Sequence, residues 1–177
     1  MKDNSVSAGS ISSAVSEYGG AGYILEHNGN YYITVSCYYN REDADKICEN
    51  LKAKNLTCSV LKIETSDYAL KTENAKKNSV LYKGNLNTLH SLSVLAYNCA
   101  NELDTGSYSQ NNAKNVIADI INGLNGLLKA NENNCFTVEI KRLQALCDDA
   151  AGGFIYSKDL RKLQIAIADT VINISLY

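Results

Sequence analysis

The residues of this chain whose types and spacing could do chemistry alternate along one short segment, Tyr31 to Tyr39. Tyr32, Thr34, Ser36 and Tyr38 stand two positions apart, so in a β-strand they would share one face. Aromatic rings stack on pyranose faces, and hydroxyl groups bond to the polar edges of the same sugars. This face predicts contact with a sugar polymer, although an ordinary half-solvated strand has the same composition.

The other face of the same predicted strand should meet a helix. Its side chains are Tyr31, Ile33, Val35, Cys37 and Tyr39. Ile47, Cys48 and Leu51 follow at helical spacing and form an apolar stripe that could cover this face. The hydroxyl-bearing face is assigned outward only because its neighbours are assigned inward.

Six cysteines and two histidines are the remaining reactive side chains. Five of the cysteines fall at apolar positions of predicted elements, where free cysteine behaves as a small hydrophobe: Cys37, Cys48, Cys58, Cys99 and Cys147. None forms a C-x-x-C pair, so core packing is favoured over disulfides, and a metal site is the weakest alternative. We expect no metal and no cofactor, and we expect Cys135 to be the most exposed and reactive thiol.

Catalytic motifs are missing from the sequence. It contains no G-x-S-x-G, no glycine-rich phosphate loop before a helix and no H-E-x-x-H. Glu42, Asp43 and Asp45 fall in the first turn of a predicted helix, where carboxylates complement the helix dipole. We therefore expect no catalytic residues and a protein that is not an enzyme; an unrecognised hydrolase is the weakest alternative.

Composition narrows the classes of partner. The 177 residues include 17 basic and 19 acidic side chains, interleaved along the chain, and this balance argues against nucleic-acid binding. Apolar runs are too short for a membrane-spanning helix, and the start of the chain lacks the apolar core of a signal peptide. We expect no membrane insertion by this chain itself.

The elements that must position the hydroxyl-bearing face are predicted from local signals. Asn28-Gly29 favours a type I′ hairpin turn, Asn40 can cap a helix, and Cys58 to Ile63 reads as a closing strand. A helix over Ser10 to Tyr18 and a weak strand near Ser5-Val6 complete the order (β)αββαβ. The predicted fold is α+β, ferredoxin-like (split βαβ), with helices on one face of an antiparallel sheet.

The periodicity changes along the rest of the chain. Residues 1–65 form the predicted α+β domain, residues 66–85 a polar connector, and residues 86–177 four amphipathic helices. The connections between these helices are short, which favours an antiparallel four-helix bundle. The apolar stripes predict a bundle core without a metal site.

The segment YYITVSCYYNREDADKICENLKAKNLTCSVLKI resembles one half of a SPOR (sporulation-related repeat) domain. In that family an aromatic residue precedes Val-Gln-hydrophobic-Gly-Ser-Phe, followed by a polar turn, a helix carrying Ala and a strand ending in Val. Tyr32 to Tyr38 occupies the first strand, Ala44 matches the helix alanine, and Cys58 to Val60 matches the closing strand. The lead-in from Gly19 to Tyr23 is similar to forms of the domain in spore-forming Gram-positive bacteria. The resemblance covers roughly residues 5–65.

The resemblance implies a function for the first domain. It implies a non-catalytic cell-envelope module that recognises peptidoglycan glycan strands at septal or sporulation sites, outside the cytoplasm and held by an N-terminal membrane anchor absent from this chain. Thr34 stands where the family has Gln and Ser36 where it has Gly. These departures favour the alternative, a protein–protein scaffold of the envelope or forespore that has lost glycan binding.

Overall fold

The computed structural model of the chain describes residues 4–64, 75–131 and 135–174. Six helices and one two-stranded antiparallel sheet make up these residues, so the predicted α+β class is confirmed. In chain order the elements are α1 Asn4–Glu17, β1 Tyr23–His27, β2 Asn30–Thr34, α2 Arg41–Ala53, α3 Ala75–Asp104, α4 Gln110–Ala130, α5 Cys135–Ala151 and α6 Ser157–Ile174.

Two local signals within residues 1–65, the hairpin turn and the helix cap, form the structures they predict. Asn28 and Gly29 have φ of 51° and 71°, the two positive values that a type I′ turn requires, and they join β1 to β2. The Asn40 side chain accepts a hydrogen bond of 2.8 Å from the backbone N–H of Asp43, which caps the start of α2. The hairpin and the helix cap are therefore confirmed.

The sheet is smaller than the ferredoxin-like prediction. Residues 58–63 are described without regular secondary structure, and Ser5-Val6 lies inside α1, so neither expected strand joins the hairpin. Both of these strand predictions are wrong. The physical reason for residues 58–63 is that the turn after α2, with Asn55 at a positive φ of 62°, directs them back beside α2, where Cys58 meets Cys48, and not to an edge of the hairpin.

Helices α3 to α6 form the larger part of the core. Helix α3 packs against α4 and α6, and α5 packs against the same two helices, which closes a ring of contacts. The predicted stripes are buried at Leu89, Ile117, Ile140 and Leu163, among others. Residues 75–85, predicted as connector, are the first turns of α3, and residues 65–74 lie outside the described part.

One glycine explains how closely α3 and α4 approach. A Cβ atom added at Gly123 would lie 2.7 Å from a methyl carbon of Leu92, far inside normal contact distance. Gly126 has open space at the same position, so only the first of the two helix glycines serves close packing.

A polar network fixes the hairpin to α5 and α6. Tyr23, only 8% exposed, donates its hydroxyl hydrogen to Asp169 Oδ2 at 2.5 Å and accepts a bond of 2.8 Å from Arg142 Nη1. Arg142 also donates to Glu139 and Thr170, both at 3.0 Å. Burial first, and the bond to Asp169 second, raise the pKa of Tyr23 to about 12. The predicted division at residues 66–85 stays a prediction, but the two parts share this network and one core.

Helix α2 stands apart from that core. Cys48 is its buried residue, while Ile47 and Leu51 are partly exposed and take no part in the main core of the described chain. The predicted packing of this stripe against the inner face of β2 is therefore wrong.

None of the helices in the described ranges combines the length and the apolar character that a membrane span needs.

Candidate functional site

The four predicted glycan-contacting residues do not share one strand face, because β2 ends at Thr34. Tyr32 and Thr34 lie in the strand, whereas Ser36 and Tyr38 lie in an irregular segment, residues 35–40, that leads to α2. This segment contacts both α3 and α6.

Tyr32 and Thr34 lie on the buried face of the hairpin. The register pairs Tyr32 with Leu25 and Thr34 with Tyr23, and directly paired residues share a face. Leu25 and Tyr23 are 5% and 8% exposed, Tyr32 packs against the core, and Thr34 Oγ1 donates to the Tyr23 carbonyl at 2.9 Å. Tyr31, predicted inward, is 47% exposed. The predicted assignment of alternate side chains to the inner and outer faces is therefore wrong within β2.

Ser36 and Cys37 are held by α6. Arg161 Nη1 donates to Ser36 Oγ at 3.3 Å, and Gln164 Nε2 donates to the Cys37 carbonyl at 3.2 Å. The Cys37 side chain packs against the core, as predicted, and burial raises the pKa of its thiol to about 12. Arg161 also bonds to Asp104 at 2.6 Å, which joins the segment to the end of α3.

Beyond Cys37 the segment places two tyrosines on α3, where they form an aromatic group. Tyr39 meets His90 and Tyr97 edge-on, with ring centroids 5.6 and 5.3 Å apart, and Tyr38 meets Tyr97 at 6.3 Å. We call Tyr38, Tyr39, His90 and Tyr97 the tyrosine cluster. It is the one place where a predicted site residue, Tyr38, joins other rings at the surface of the described chain.

The ring of Tyr39 is both exposed and fixed. Its side chain is 49% exposed, yet its hydroxyl bonds to Ser93 Oγ at 3.1 Å, and Ser93 is buried. Burial raises the pKa of the Tyr39 hydroxyl, against the opposing effect of its hydrogen bonds to Ser93 and Gln164, so the ring is neutral at neutral pH. The ring of Tyr39 therefore presents a preordered aromatic surface with the imidazole of His90 beside it.

The sequence contained a signal for this cluster in α3, which the assignment of faces to a single strand did not include. His90, Ser93 and Tyr97 recur at i, i+3 and i+7, so they form a polar aromatic stripe on one side of α3. Nothing local links that stripe to Tyr39, because the contact spans more than fifty residues of chain.

The groups that make up the cluster are phenol rings and one imidazole. Across the described ranges no three histidine, cysteine or acidic side chains are grouped so as to hold a metal ion. Gln164 is fully buried, and its Oε1 has no hydrogen-bond partner among the described residues, while its amide nitrogen holds the Cys37 carbonyl beneath the cluster. The cluster offers a ligand ring stacking and hydrogen bonds to hydroxyl and imidazole groups.

In comparisons with known proteins, no family model, curated protein or solved structure matches this chain.

Proposed function

We propose that this chain is a non-catalytic binding module of the cell envelope that recognises peptidoglycan glycan strands through the tyrosine cluster. The observation that carries this proposal is the half-exposed ring of Tyr39, whose hydroxyl is held by Ser93. The cluster replaces the flat strand face of Tyr32, Thr34, Ser36 and Tyr38, of which only Tyr38 belongs to it.

The fixed ring gives a physical reason for sugar binding. A pyranose offers an apolar face of C–H groups and a rim of hydroxyls, and stacking on an aromatic ring buries the face while leaving the rim free to bond. A ring already held in place loses little conformational entropy on binding. His90 is exposed beside Tyr39 and can donate or accept at the sugar rim.

The choice of envelope glycan rests on the resemblance to SPOR domains. That resemblance supports septal or sporulation sites, glycan strands deficient in stem peptides, and a position outside the cytoplasm.

Two finer points of the fold belong to the same proposal: that the hairpin with α1 and α2 corresponds to part of a ferredoxin-like domain, and that α3 to α6 form an antiparallel bundle. The ring of helix contacts supports the second.

A sedimentation assay on purified sacculi tests the proposal. Sacculi are used intact and after amidase removal of stem peptides, with the full chain and two tyrosine variants. Tyr39→Ala removes the cluster ring, and Tyr31→Ala removes a ring of nearly equal exposure, 49% against 47%, on the hairpin. We expect Tyr39→Ala to lose roughly tenfold in affinity, about 1.4 kcal/mol, and Tyr31→Ala to bind like the wild type.

Two results would contradict glycan binding at this cluster. One is wild-type protein that does not sediment with either form of sacculi. The other is equal affinity of Tyr39→Ala and Tyr31→Ala. Circular dichroism of all three proteins shows whether a loss of binding comes from loss of fold.

A second candidate function is the protein–protein scaffold of the envelope or forespore. Two observations favour it: Tyr32 and Thr34 are used inside the fold, and a second exposed aromatic pair exists. Phe154 and Tyr156 are 62% and 54% exposed with ring centroids 4.9 Å apart, a surface of the kind that protein partners cover. Retention by envelope proteins but not by sacculi, lost in Phe154→Ser and kept in Tyr39→Ala, would support the scaffold.

A further inference from the structure

Two of the cysteines face each other at the end of α2. The Sγ atoms of Cys48 and Cys58 are 2.6 Å apart, and Cys58 Sγ also lies 3.1 Å from the Cys48 carbonyl oxygen. Both residues are free thiols in this structure. The two sulfurs are already within about 0.6 Å of the separation of a covalent pair.

The local fold brings the two cysteines together. Helix α2 ends at Ala53, and Asn55 takes a positive φ of 62°, which turns the chain back. The backbone N–H groups of Lys54 and Leu56 bond to the Leu51 carbonyl, so the turn is fixed on the last turns of the helix. The returning segment then passes beside α2 and places Cys58 over Cys48.

The setting of this pair differs from that of the other described thiols. Burial is the main cause that raises the pKa of Cys37, Cys99 and Cys147. The pKa of Cys58 is raised first by its hydrogen bond to Cys48, and nearby Lys52 acts in the opposite direction. Cys58 is therefore a partly exposed thiol whose chief partner is another thiol.

A cleft beside α2 reaches one member of the pair, Cys48. The cleft has a volume of about 360 Å³, and Cys48 lies in its wall together with Arg41, Asp45, Glu49 and Lys52. Cys58 is not among the residues that line this cleft, but it is itself partly exposed, so a small disulfide or the redox site of an oxidoreductase can reach its sulfur from the surface. Cys99 and Cys147, in contrast, lie in the main core and are 1% and 0% exposed.

We propose that Cys48 and Cys58 are a redox pair that forms an intramolecular disulfide and ties the segment after α2 to the helix. The oxidant is a disulfide, either a small molecule or an oxidoreductase. The Cys58 thiolate attacks one sulfur of that disulfide, forms a mixed disulfide and releases the first thiol. The Cys48 thiolate then attacks Cys58 Sγ and releases the second thiol.

The reaction balances in atoms and electrons. Two protein thiols lose two protons and two electrons and gain one S–S bond. The oxidant loses one S–S bond and becomes two thiols. The disulfide closes a loop between residues ten apart. It replaces the contact between two thiols with a covalent bond at Cys48, the buried residue of α2.

Peptide mapping of the full chain tests the pair directly. The protein is equilibrated with mixtures of oxidised and reduced glutathione, quenched with iodoacetamide in denaturant, and digested with trypsin without reduction. Cleavage after Lys46, Lys52, Lys54 and Lys62 separates Ile47–Lys52 from Asn55–Lys62, and each peptide contains one cysteine. We expect these two peptides to be found joined, in a fraction that rises with the oxidised share and returns to zero on reduction.

Cysteine variants separate the pair from general thiol oxidation. Cys48→Ser should leave Cys58 as a stable glutathione adduct, because no second thiol resolves the mixed disulfide. Cys99→Ser, which removes a buried thiol elsewhere, should leave the joined peptides unchanged. The proposal is overturned if both peptides stay fully alkylated under oxidised glutathione, if Cys58 joins Cys37 instead, or if wild type accumulates the same adduct as Cys48→Ser.

Discussion

Replacing Tyr23 by phenylalanine tests how the hairpin is fixed to the helices. The substitution keeps the buried ring and removes one hydroxyl, which donates to Asp169 at 2.5 Å and accepts from Arg142 at 2.8 Å. Tyr31→Phe is the matched control, because the same hydroxyl is removed from the exposed face of the same hairpin.

The expected loss follows from what the partners keep. A hydrogen bond to a charged group contributes about 1.5–3 kcal/mol. Arg142 retains bonds to Glu139 and Thr170, and Asp169 retains Asn173 at 3.2 Å and Arg142 at 3.6 Å. Neither charge is left without a partner, so we expect the free energy of unfolding to fall by the contribution of one such hydrogen bond, about 2 kcal/mol. That corresponds to a decrease in Tm of about 4–8 °C, whereas Tyr31→Phe should change stability by less than about 0.5 kcal/mol.

Urea unfolding at neutral pH measures the free energy of unfolding of both variants. The same measurement at alkaline pH tests the contribution of the Tyr23 hydroxyl separately. The pKa of Tyr23 is raised from 10.0 to about 12 in the fold, so its contribution is fully present below pH 10 and is lost as pH rises through about 12. The stability difference between wild type and Tyr23→Phe should shrink over that interval. Equal midpoints for Tyr23→Phe and Tyr31→Phe, or a difference that grows above pH 10, would refute the proposed network.

Two further predictions concern the glycines and a buried thiol. Gly22→Ala should lower the free energy of unfolding by about 2 kcal/mol, because Gly22 has a φ of 59° and a Cβ there would meet the backbone of α1. Gly126→Ala, at a helical position with open space, should raise it by up to about 1 kcal/mol, and urea unfolding in which both changes had the same sign would contradict this reasoning. Cys147 should react with iodoacetamide at pH 8 roughly 1000-fold more slowly in the native than in the unfolded protein, since burial raises its pKa from 9.0 to about 12 and lowers the thiolate fraction by that factor. Rapid native labelling of Cys147, measured by mass spectrometry, would contradict its burial; the predicted exposure of Cys135 concerns a side chain outside the described ones and stays a prediction.

Signals that act over a few residues were readable in the sequence. Asn28 and Gly29 take the positive φ values that their types favour, and Asn40 caps α2 through the N–H three residues later. The helical stripes after residue 86 are buried where their periodicity places them, as at Leu89 and Leu163. In each case the energy that decides the conformation is local or follows from the alternation of apolar and polar residues.

The inner and outer faces of β2 could also have been predicted from the sequence of its partner strand, β1. A two-residue turn at Asn28-Gly29 fixes the register, so Tyr31 must lie opposite Glu26, a charged residue that belongs on the solvent side. The composition of β2 alone did not decide the face, because tyrosines occur on both sides. Reading Tyr31 as inward ignored the cost of burying Glu26 beside it.

The sequence by itself determined the helical stripes after residue 86, where the hairpin turns and how α2 begins, because these depend on periodicity, backbone preferences and short-range hydrogen bonds. Only the tertiary structure decided that β2 ends at Thr34 and that the next residues cross to α3 and α6. That path depends on Arg161, Gln164 and Ser93, which lie far along the chain and bond to Ser36, Cys37 and Tyr39. The tyrosine cluster exists because those distant side chains meet the segment in space, and no local pattern records such a meeting.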